Sequence, residues 1–493
     1  LKKSPKVIAE ALMEAMDQEM IEQVEMAGPG FLNFTMKKSI MANVIDTVLS
    51  MGDAYGTNES GAHTSINVEY VSANPTGDLH LGHARGAAWG DALTRLLQAS
   101  GYEVCREYYV NDAGNQIHNL TLSLMARYAQ TFGVEKEMPQ DGYYGKDVIA
   151  IAEAIAQKQG DIYLHQSEAE AYEFFREAGV QAELNKLKSD LDMFRVHFDV
   201  WSSERALHEE GRVEKALQAL SEKGKTYEKD GAIWFRSSEY GDDKDRVLKK
   251  SDGSYTYLMP DIAYHITKFE RGFDQLINLW GADHHGYIPR MKAAMQALGK
   301  NPDQLVVDII QMVRLVENGE EIKMSKRTGN AVTVRELCEE VGVDAVRYFF
   351  VQRALDTHLD FDLALARKQS NDNPVYYAQY AHARICSILR QAPACHKCDS
   401  YELLTHEKEV ALLKYINEFP AVIADAAKTR APHKVCNYIQ KLAAHFHSFY
   451  NVCKVIDMDQ EALTAQRLAL LQATKITLKN ALALIGVQAI EKM

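Results

Sequence analysis

The 493-residue chain has no run of eighteen apolar residues, the length a helix needs to cross the hydrocarbon core of a bilayer, so no membrane span is expected. It opens Leu1-Lys2-Lys3-Ser4-Pro5, with no initiator methionine and no secretory pattern, and a natural chain that begins upstream is expected. Cysteine is scarce. The seven present are scattered without the spacing of a disulfide framework, which suits a reducing cytosol and a cytoplasmic location. No internal repeat or low-complexity tract is visible. Positive charge is also short: 55 Lys and Arg against 68 Asp and Glu, a net charge of −13. Phosphate contacts need cations, so this balance gives a nucleic-acid binder no support and leaves room only for a local basic groove. The deficit is uneven. From Asn371 to Met493, 14 Lys and Arg face 11 Asp and Glu, so the acidity belongs to the first three quarters.

What is present is globular, with 46% hydrophobic and 25% charged residues. The length suffices for roughly three or four domains. Ile8 to Glu25 reads as a helix, followed by a turn at Gly28-Pro29-Gly30 and a short strand from Phe31 to Phe34. Ser65 to Val71 alternates and is rich in β-branched residues, so it reads as a strand. After a turn over Asn74 to Gly77, Ala84 to Ala99 reads as a helix with Trp89, Leu93, Leu96 and Leu97 on one face. Glu103 to Val110 is a second strand. Strand, turn, helix, strand opens a parallel nucleotide-binding sheet, whose ligand sits beyond the carboxyl ends of the strands. Residues 138 to 223 read as a mostly helical insertion, with Phe174, Phe175, Leu184, Leu187, Leu191 and Phe194 at helical spacing. The sheet is expected to resume at Ala232 to Phe235 and to continue through Gln275 to Trp280 and Leu305 to Ile310. From about residue 371 strands vanish. Leu412, Leu413, Ile416, Phe419 and Ile423 form one helical stripe, and Val435, Ile439, Leu442, Phe446 and Phe449 another, with a third over Leu468 to Leu484. The fold expected is α/β: a Rossmann-like parallel sheet split by a helical insertion, then an all-α bundle.

Two tetrapeptides carry chemistry. His80-Leu81-Gly82-His83 lies where the turn enters the helix, so free backbone N–H groups and the positive helix end point at any anion. The two imidazoles add donors, and Gly82 keeps the approach open. This suits the phosphates of ATP, although a capping pair or half a metal site has the same look. Much later, Lys323-Met324-Ser325-Lys326 brackets a small hydroxyl residue with lysines, ahead of Gly329. Such a cationic loop can neutralise a leaving pyrophosphate, or it can be a solvated loop with no role. No covalent nucleophile is needed if a substrate carboxylate attacks ATP, because catalysis is then positioning plus electrostatics. Glu69 ends the first strand, and Tyr257 and Asp261 stand four apart, with Pro260 favouring a turn into a helix. Two carboxylates and a phenol suit a guanidinium, with its five donors in a rigid fork. Equally, both acids can be structural, paired with backbone or lysine.

The two tetrapeptides, in this order and with a large insertion between them, resemble the HIGH and KMSK motifs by which class I aminoacyl-tRNA synthetases handle ATP. Val68 to Gly86 resembles the signature stretch of bacterial arginyl-tRNA synthetases. So do Tyr109 to Gln116, Phe198 to Trp201, Tyr257 to Ala263 and Gly281 to Tyr287, and the likeness runs essentially the whole chain. Asp344-Ala-Val-Arg347 is close to the Asp-Ala-Leu-Arg element that names the family's anticodon-binding domain, and Glu491-Lys-Met493 looks like a family C-terminus. The resemblance implies an arginine–tRNA ligase that uses ATP and Mg²⁺, charges tRNA(Arg), and needs bound tRNA for efficient activation. Glu69, Asn74, Tyr257 and Asp261 would line the arginine pocket, with His284 of the Asp283-His284-His285 run helping to close it. His80, Leu81, Gly82, His83 and Lys323, Met324, Ser325, Lys326 would handle ATP, with His80, His83, Lys323 and Lys326 as the catalytic groups. Leu81 replaces the commoner Ile, a swap of similar volume.

The domains expected are a remnant of an N-terminal tRNA-contacting domain (1–36), the first catalytic half (37–137), the connective insertion (138–223), the second half with the KMSK loop (224–330), a stem-contact region (331–370) and the helical anticodon-binding domain (371–493). A monomer is expected, and the insertion is short for an editing domain. Cys395-His-Lys-Cys398 lacks a second ligand pair at zinc spacing, so no metal site is assigned. Another class I synthetase would want different pocket chemistry: basic residues for glutamate, or a zinc–thiolate site for cysteine. An inactive tRNA-binding paralogue would have no use for both ATP motifs.

Overall fold

The computed structural model describes residues 3–16, 21–36, 38–322, 332–392, 398 and 400–493. They form two compact units, Glu59–Arg367 and Leu1–Asn58 with Lys368–Met493. Residues 38–58, expected at the head of the catalytic domain, pack in the helical unit. Residues 332–367, expected as a stem-contact region, pack in the α/β unit.

The α/β unit is built on five parallel strands: β1 (Ser65–Glu69), β2 (Glu103–Val110), β3 (Val200–Ser203), β4 (Gln275–Gly281) and β5 (Leu305–Ile310), ordered β5-β4-β1-β2-β3. β1 and β4 are central and buried along most of their length, as parallel strands covered on both faces must be. The helices of this unit include the crossover helices α1 (Leu81–Ala99), α2 (Gly114–Thr131), α3 (Glu168–Met193) and α4 (Leu258–Glu270), and α5 (Val343–Val351), which follows the last strand of the sheet. α1 is rich in Ala and Gly, which lets it lie close to the sheet, and it is fixed by buried charge. Arg347 of α5 pairs with Asp91 and donates to the Phe194 carbonyl at 2.8 Å. Arg85, fully buried, donates to the carbonyls of Gln311, Ala354 and Thr357 at 2.7–2.8 Å.

Three local expectations are corrected. The N-terminal helix spans only Pro5–Ala15, and Ile21–Ala27 pairs antiparallel with Phe31–Met36, because Gly28 and Gly30 supply the positive φ of a tight hairpin turn. The insertion is mostly helical, as expected, but it also supplies a strand to the sheet. Val200–Ser203 is the edge strand β3, held by Trp201 stacking on Tyr108 at 4.4 Å and by Asp199 bonding Arg106; four residues are too few for periodicity to reveal. Ala232–Phe235 does not resume the parallel sheet. It is the middle strand of a separate antiparallel sheet with Thr226–Lys229 and Arg246–Lys249, joined through Asp230-Gly231, both at positive φ, a two-residue hairpin signal.

In the other unit, helices α6 (Pro374–Gln391), α7 (Glu407–Asn417), α8 (Phe419–Lys428), α9 (His433–Val452) and α10 (Glu461–Leu484) bury the expected stripes. Lys38–Met51 packs with α7 and α10, and Tyr55 donates to the Ile416 carbonyl at 2.8 Å. Among the described residues no helix is long and apolar enough to cross a membrane.

Candidate active site

A cleft of about 750 Å³ opens at the carboxyl ends of β1, β2, β4 and β5. Its backbone is strained on one side. β1 ends at Glu69, two residues before the expected end, because Val71 and Ser72 turn to φ of 69° and 41°, a region side-chain-bearing residues seldom adopt. The turn aims the Ser72 hydroxyl at Glu69 Oε1, 3.0 Å away, while the Ser72 oxygen accepts from Tyr109 N at 3.1 Å. Asn74 follows, its amide donating to Gln116 at 2.6 Å.

His80 is the N-cap of α1, and His83 stands at its third position. Gly82 N donates to His80 Nδ1 at 3.1 Å, and His80 N donates to His83 Nδ1 at 3.4 Å. The helix start therefore does not offer all its N–H groups to a ligand, as the sequence suggested; two are capped by the imidazoles. Burial lowers both histidines, His83 to about 3, with His80 beside it adding to the effect. Both rings are neutral at pH 7. Since each Nδ1 accepts, the proton sits on Nε2, and the stacked pair (centroids 3.7 Å apart) presents two N–H donors without charge. A Cβ at Gly82 would approach the His80 ring to 3.1 Å, so glycine permits the ring to fold over. Leu81 does not line the cleft. Thr333 bridges to His80, and Val334 N donates to the Leu79 carbonyl at 2.8 Å. Lys323, Met324, Ser325 and Lys326 lie outside the described residues, as do Cys395, His396 and Lys397.

The opposite wall is acidic. Tyr257 is the N-cap of α4 and 74% exposed, a ring at the cleft with little packed against it. Asp261, in the first turn of α4, accepts from the Tyr287 hydroxyl at 2.8 Å. Burial pushes its carboxyl up to about 7; Tyr287 and Lys268 oppose the rise, while Glu204 and Glu69 reinforce it. His284 sits at the rim, 3.5 Å from Asp283 and ring to ring with Tyr287. Tyr109 and Tyr264, stacked at 4.3 Å, also line the cleft.

Glu204 was not anticipated. It starts the helix Glu204–Glu209 behind Ser203, the N-cap, so in sequence it reads as an acid at a helix N-terminus. In the fold it is buried in the cleft wall, and burial raises its carboxyl. With its amide nitrogen turned inward, Asn111 donates to Glu204 at 2.9 Å. Among the described residues no Lys or Arg pairs with Asp261 or Glu204; His208 lies 4.0 Å from Glu204. Glu69 differs: Lys268 Nζ sits 2.5 Å from its Oε2. Thus His80, Gly82, His83, Glu69, Asn74, Tyr257, Asp261 and His284 surround one cleft, with neutral donors on one side and carboxylates on the other.

The family described as tRNA synthetases class I (R), catalytic domain, matches residues 44–352. The chain belongs to the class I arginyl-tRNA synthetases. Two further descriptions agree: the arginyl-tRNA synthetase N-terminal domain over residues 1–36 and the DALR anticodon binding domain over 378–493. The arginine–tRNA ligases of Bacillus cereus and Bacillus subtilis are 59% and 58% identical, each over 100% of this chain and 90% of their own length. A Campylobacter jejuni structure described as an arginyl-tRNA synthetase aligns at a TM-score of 0.84 and 37% identity, covering 93% of this chain and 100% of that one. The Thermus thermophilus arginyl-tRNA synthetase shares the fold, at a TM-score of 0.76 and 22% identity. In this arginyl-tRNA synthetase Asp344–Arg347 lies in α5 of the α/β unit, before the residues matched as the DALR domain.

Proposed function

We propose that the cleft binds ATP against α1 and arginine against the acidic wall, and that the chain is an arginine–tRNA ligase acting on tRNA(Arg). The arginine carboxylate attacks the α-phosphorus of ATP. Its oxygen–phosphorus bond forms as the bridge to the β-phosphate breaks, giving arginyl-adenylate and pyrophosphate. A hydroxyl of the tRNA's terminal adenosine then attacks the adenylate carbonyl, and AMP leaves. His80 and His83 donate Nε2–H to phosphate oxygens whose negative charge grows during the attack, and they do so without a proton transfer of their own. Lys323 and Lys326 neutralise the departing pyrophosphate. Lys326→Ala therefore lowers kcat more than it raises the arginine KM.

The observation that carries this reading is the pair of carboxylates in the cleft wall, Asp261 half-buried and Glu204 buried, with no Lys or Arg partner among the described residues. A buried acid without a cation is costly unless a ligand supplies one. The guanidinium fork does so bidentately, with Tyr257 closing over its face. A neutral isostere such as citrulline would strand both acids, a discrimination of about 3–5 kcal/mol that makes an editing step unnecessary. Mg²⁺ wants oxygen ligands, and no group of three or more metal-ligating side chains occurs among the described residues. The ion would therefore be held chiefly by ATP's phosphates, whose charge it screens.

The test is ATP–pyrophosphate exchange with each of the twenty amino acids, with and without tRNA. Exchange with arginine alone, and only with tRNA present, is expected. Exchange driven by a different amino acid would overturn the pocket assignment.

A further inference from the structure

Beneath the acidic wall lies a buried polar seam between α4 and the sheet. Lys268 of α4 is wholly inaccessible to solvent. Its Nζ lies 2.5 Å from Glu69 Oε2 on β1 and 3.1 Å from Asn278 Oδ1 on β4, and 4.4 Å from the centre of the Tyr264 ring. The Asn278 amide, its oxygen taken by Lys268, turns its nitrogen to His265 Nε2 at 2.8 Å. That nitrogen must accept, so His265 carries its proton on Nδ1 and donates to the Asp261 carbonyl at 2.8 Å. A continuous chain thus runs from the Glu69 carboxylate through Lys268, Asn278 and His265 to the backbone of Asp261. Nearby, Glu107 is held separately by Asn67, Ser202 and Arg271, so it does not compete for Lys268 at hydrogen-bond distance.

We propose that Lys268 is a positioning and specificity-determining residue for arginine, acting through Glu69. This rests on the assignment of the cleft to arginine. Of the four carboxylates that line the cleft, Asp283 is solvent-exposed at the rim beside His284, and Lys268 permanently cancels the charge of Glu69. The two left uncompensated, Asp261 and Glu204, match the guanidinium, so the substrate has one cationic register rather than two. Glu69 has Oε2 on Lys268 and Oε1 accepting from the Ser72 hydroxyl, so both its oxygens are already engaged. An unpaired Glu69 would offer the guanidinium a second, wrong place to settle, and the chain to the Asp261 backbone would lose its first link.

The experiment is a double-mutant cycle on the full chain with E69Q, K268M and E69Q/K268M, read by arginine KM and ATP KM in tRNA-supported exchange, with a thermal melt to verify folding. The expected result for K268M is an arginine KM raised about tenfold or more. ATP KM should stay within about twofold. In the E69Q background K268M should add little, since the two act as one unit. If K268M does not fold, K268Q, which can still hydrogen-bond both partners, takes its place in the cycle. Full additivity with E69Q, or an ATP KM that rises as much as arginine KM, would overturn the role of Lys268 while leaving the cleft assignment standing. An E69Q enzyme with unchanged arginine kinetics would instead remove Glu69 from the pocket, and the assignment would fall with it.

Discussion

Two regions of the chain bury carboxylates, and they treat them differently. In the helical unit Glu409 is fully inaccessible and fully provided for: Arg467 Nε donates at 2.7 Å and the His406 backbone N–H at 2.9 Å, closing the N-terminus of α7. In the cleft of the α/β unit the partners of Asp261 and Glu204 among the described residues are a phenol, an amide and a histidine 4.0 Å off, with no Lys or Arg, and burial raises both carboxyls. An acid with its cation already in place is holding a fold together. An acid buried without one sits where a ligand brings the cation. Glu69 stands between the cases, a cleft residue whose cation, Lys268, is built in.

The sharpest way to break the contrast is Asp261→Asn. It should lose about 3–5 kcal/mol of arginine-specific transition-state stabilisation, on the order of a hundred- to several thousandfold in kcat/KM for arginine, with ATP affinity kept. Steady-state kinetics in both substrates check this. Glu204→Gln should lose less, about 1.5–3 kcal/mol, because Asn111 already satisfies part of its demand. Proton linkage sharpens the comparison further. The folded pKa of Asp261 is raised to about 7, above its unfolded value, so its contribution to stability is fully present below the unfolded pKa and is lost as pH rises through about 7. Asp261→Asn should therefore stabilise the ligand-free protein above pH 7, on the order of 2 kcal/mol, even as it destroys activity. Chemical denaturation at pH 6 and pH 8 measures this, and a variant no more stable than the parent at pH 8 would contradict it. The smallest effect on arginine belongs to Glu409→Gln. It should lower the melting temperature, since the half-buried Arg467 loses its ion pair and keeps the Lys454 carbonyl, and leave arginine KM unchanged.

Much of this site could be read from residue order alone. His80 and His83 mark the start of a helix, which α1 has directly after His80, and the strand Glu103–Val110 has the expected bounds. What escaped did so for physical reasons. Glu204 behind a serine looks like ordinary helix capping, and only the pairing of β3 with β2 brings it to the cleft. Lys268 looks like a solvated lysine on an amphipathic helix, and only the position of α4 beneath β1 and β4 makes it the partner of Glu69. The alternative that Glu69 pairs with a lysine was therefore correct for that residue. For Asp261 no such partner occurs among the described residues. The strand at Val200 is too short for a period to show, whereas Asp230-Gly231 is a hairpin signal that was there to be read.

The central claim is that Asp261 awaits the guanidinium, and calorimetry of arginine binding tests it most directly. Titrations at pH 7 in two buffers of different ionisation heat give the number of protons exchanged. Free Asp261 is part protonated at this pH, and a bound cation holds it ionised, so binding should release on the order of half a proton, a release that disappears in Asp261→Asn. Binding that releases no proton, or a release that survives the substitution, would contradict the account.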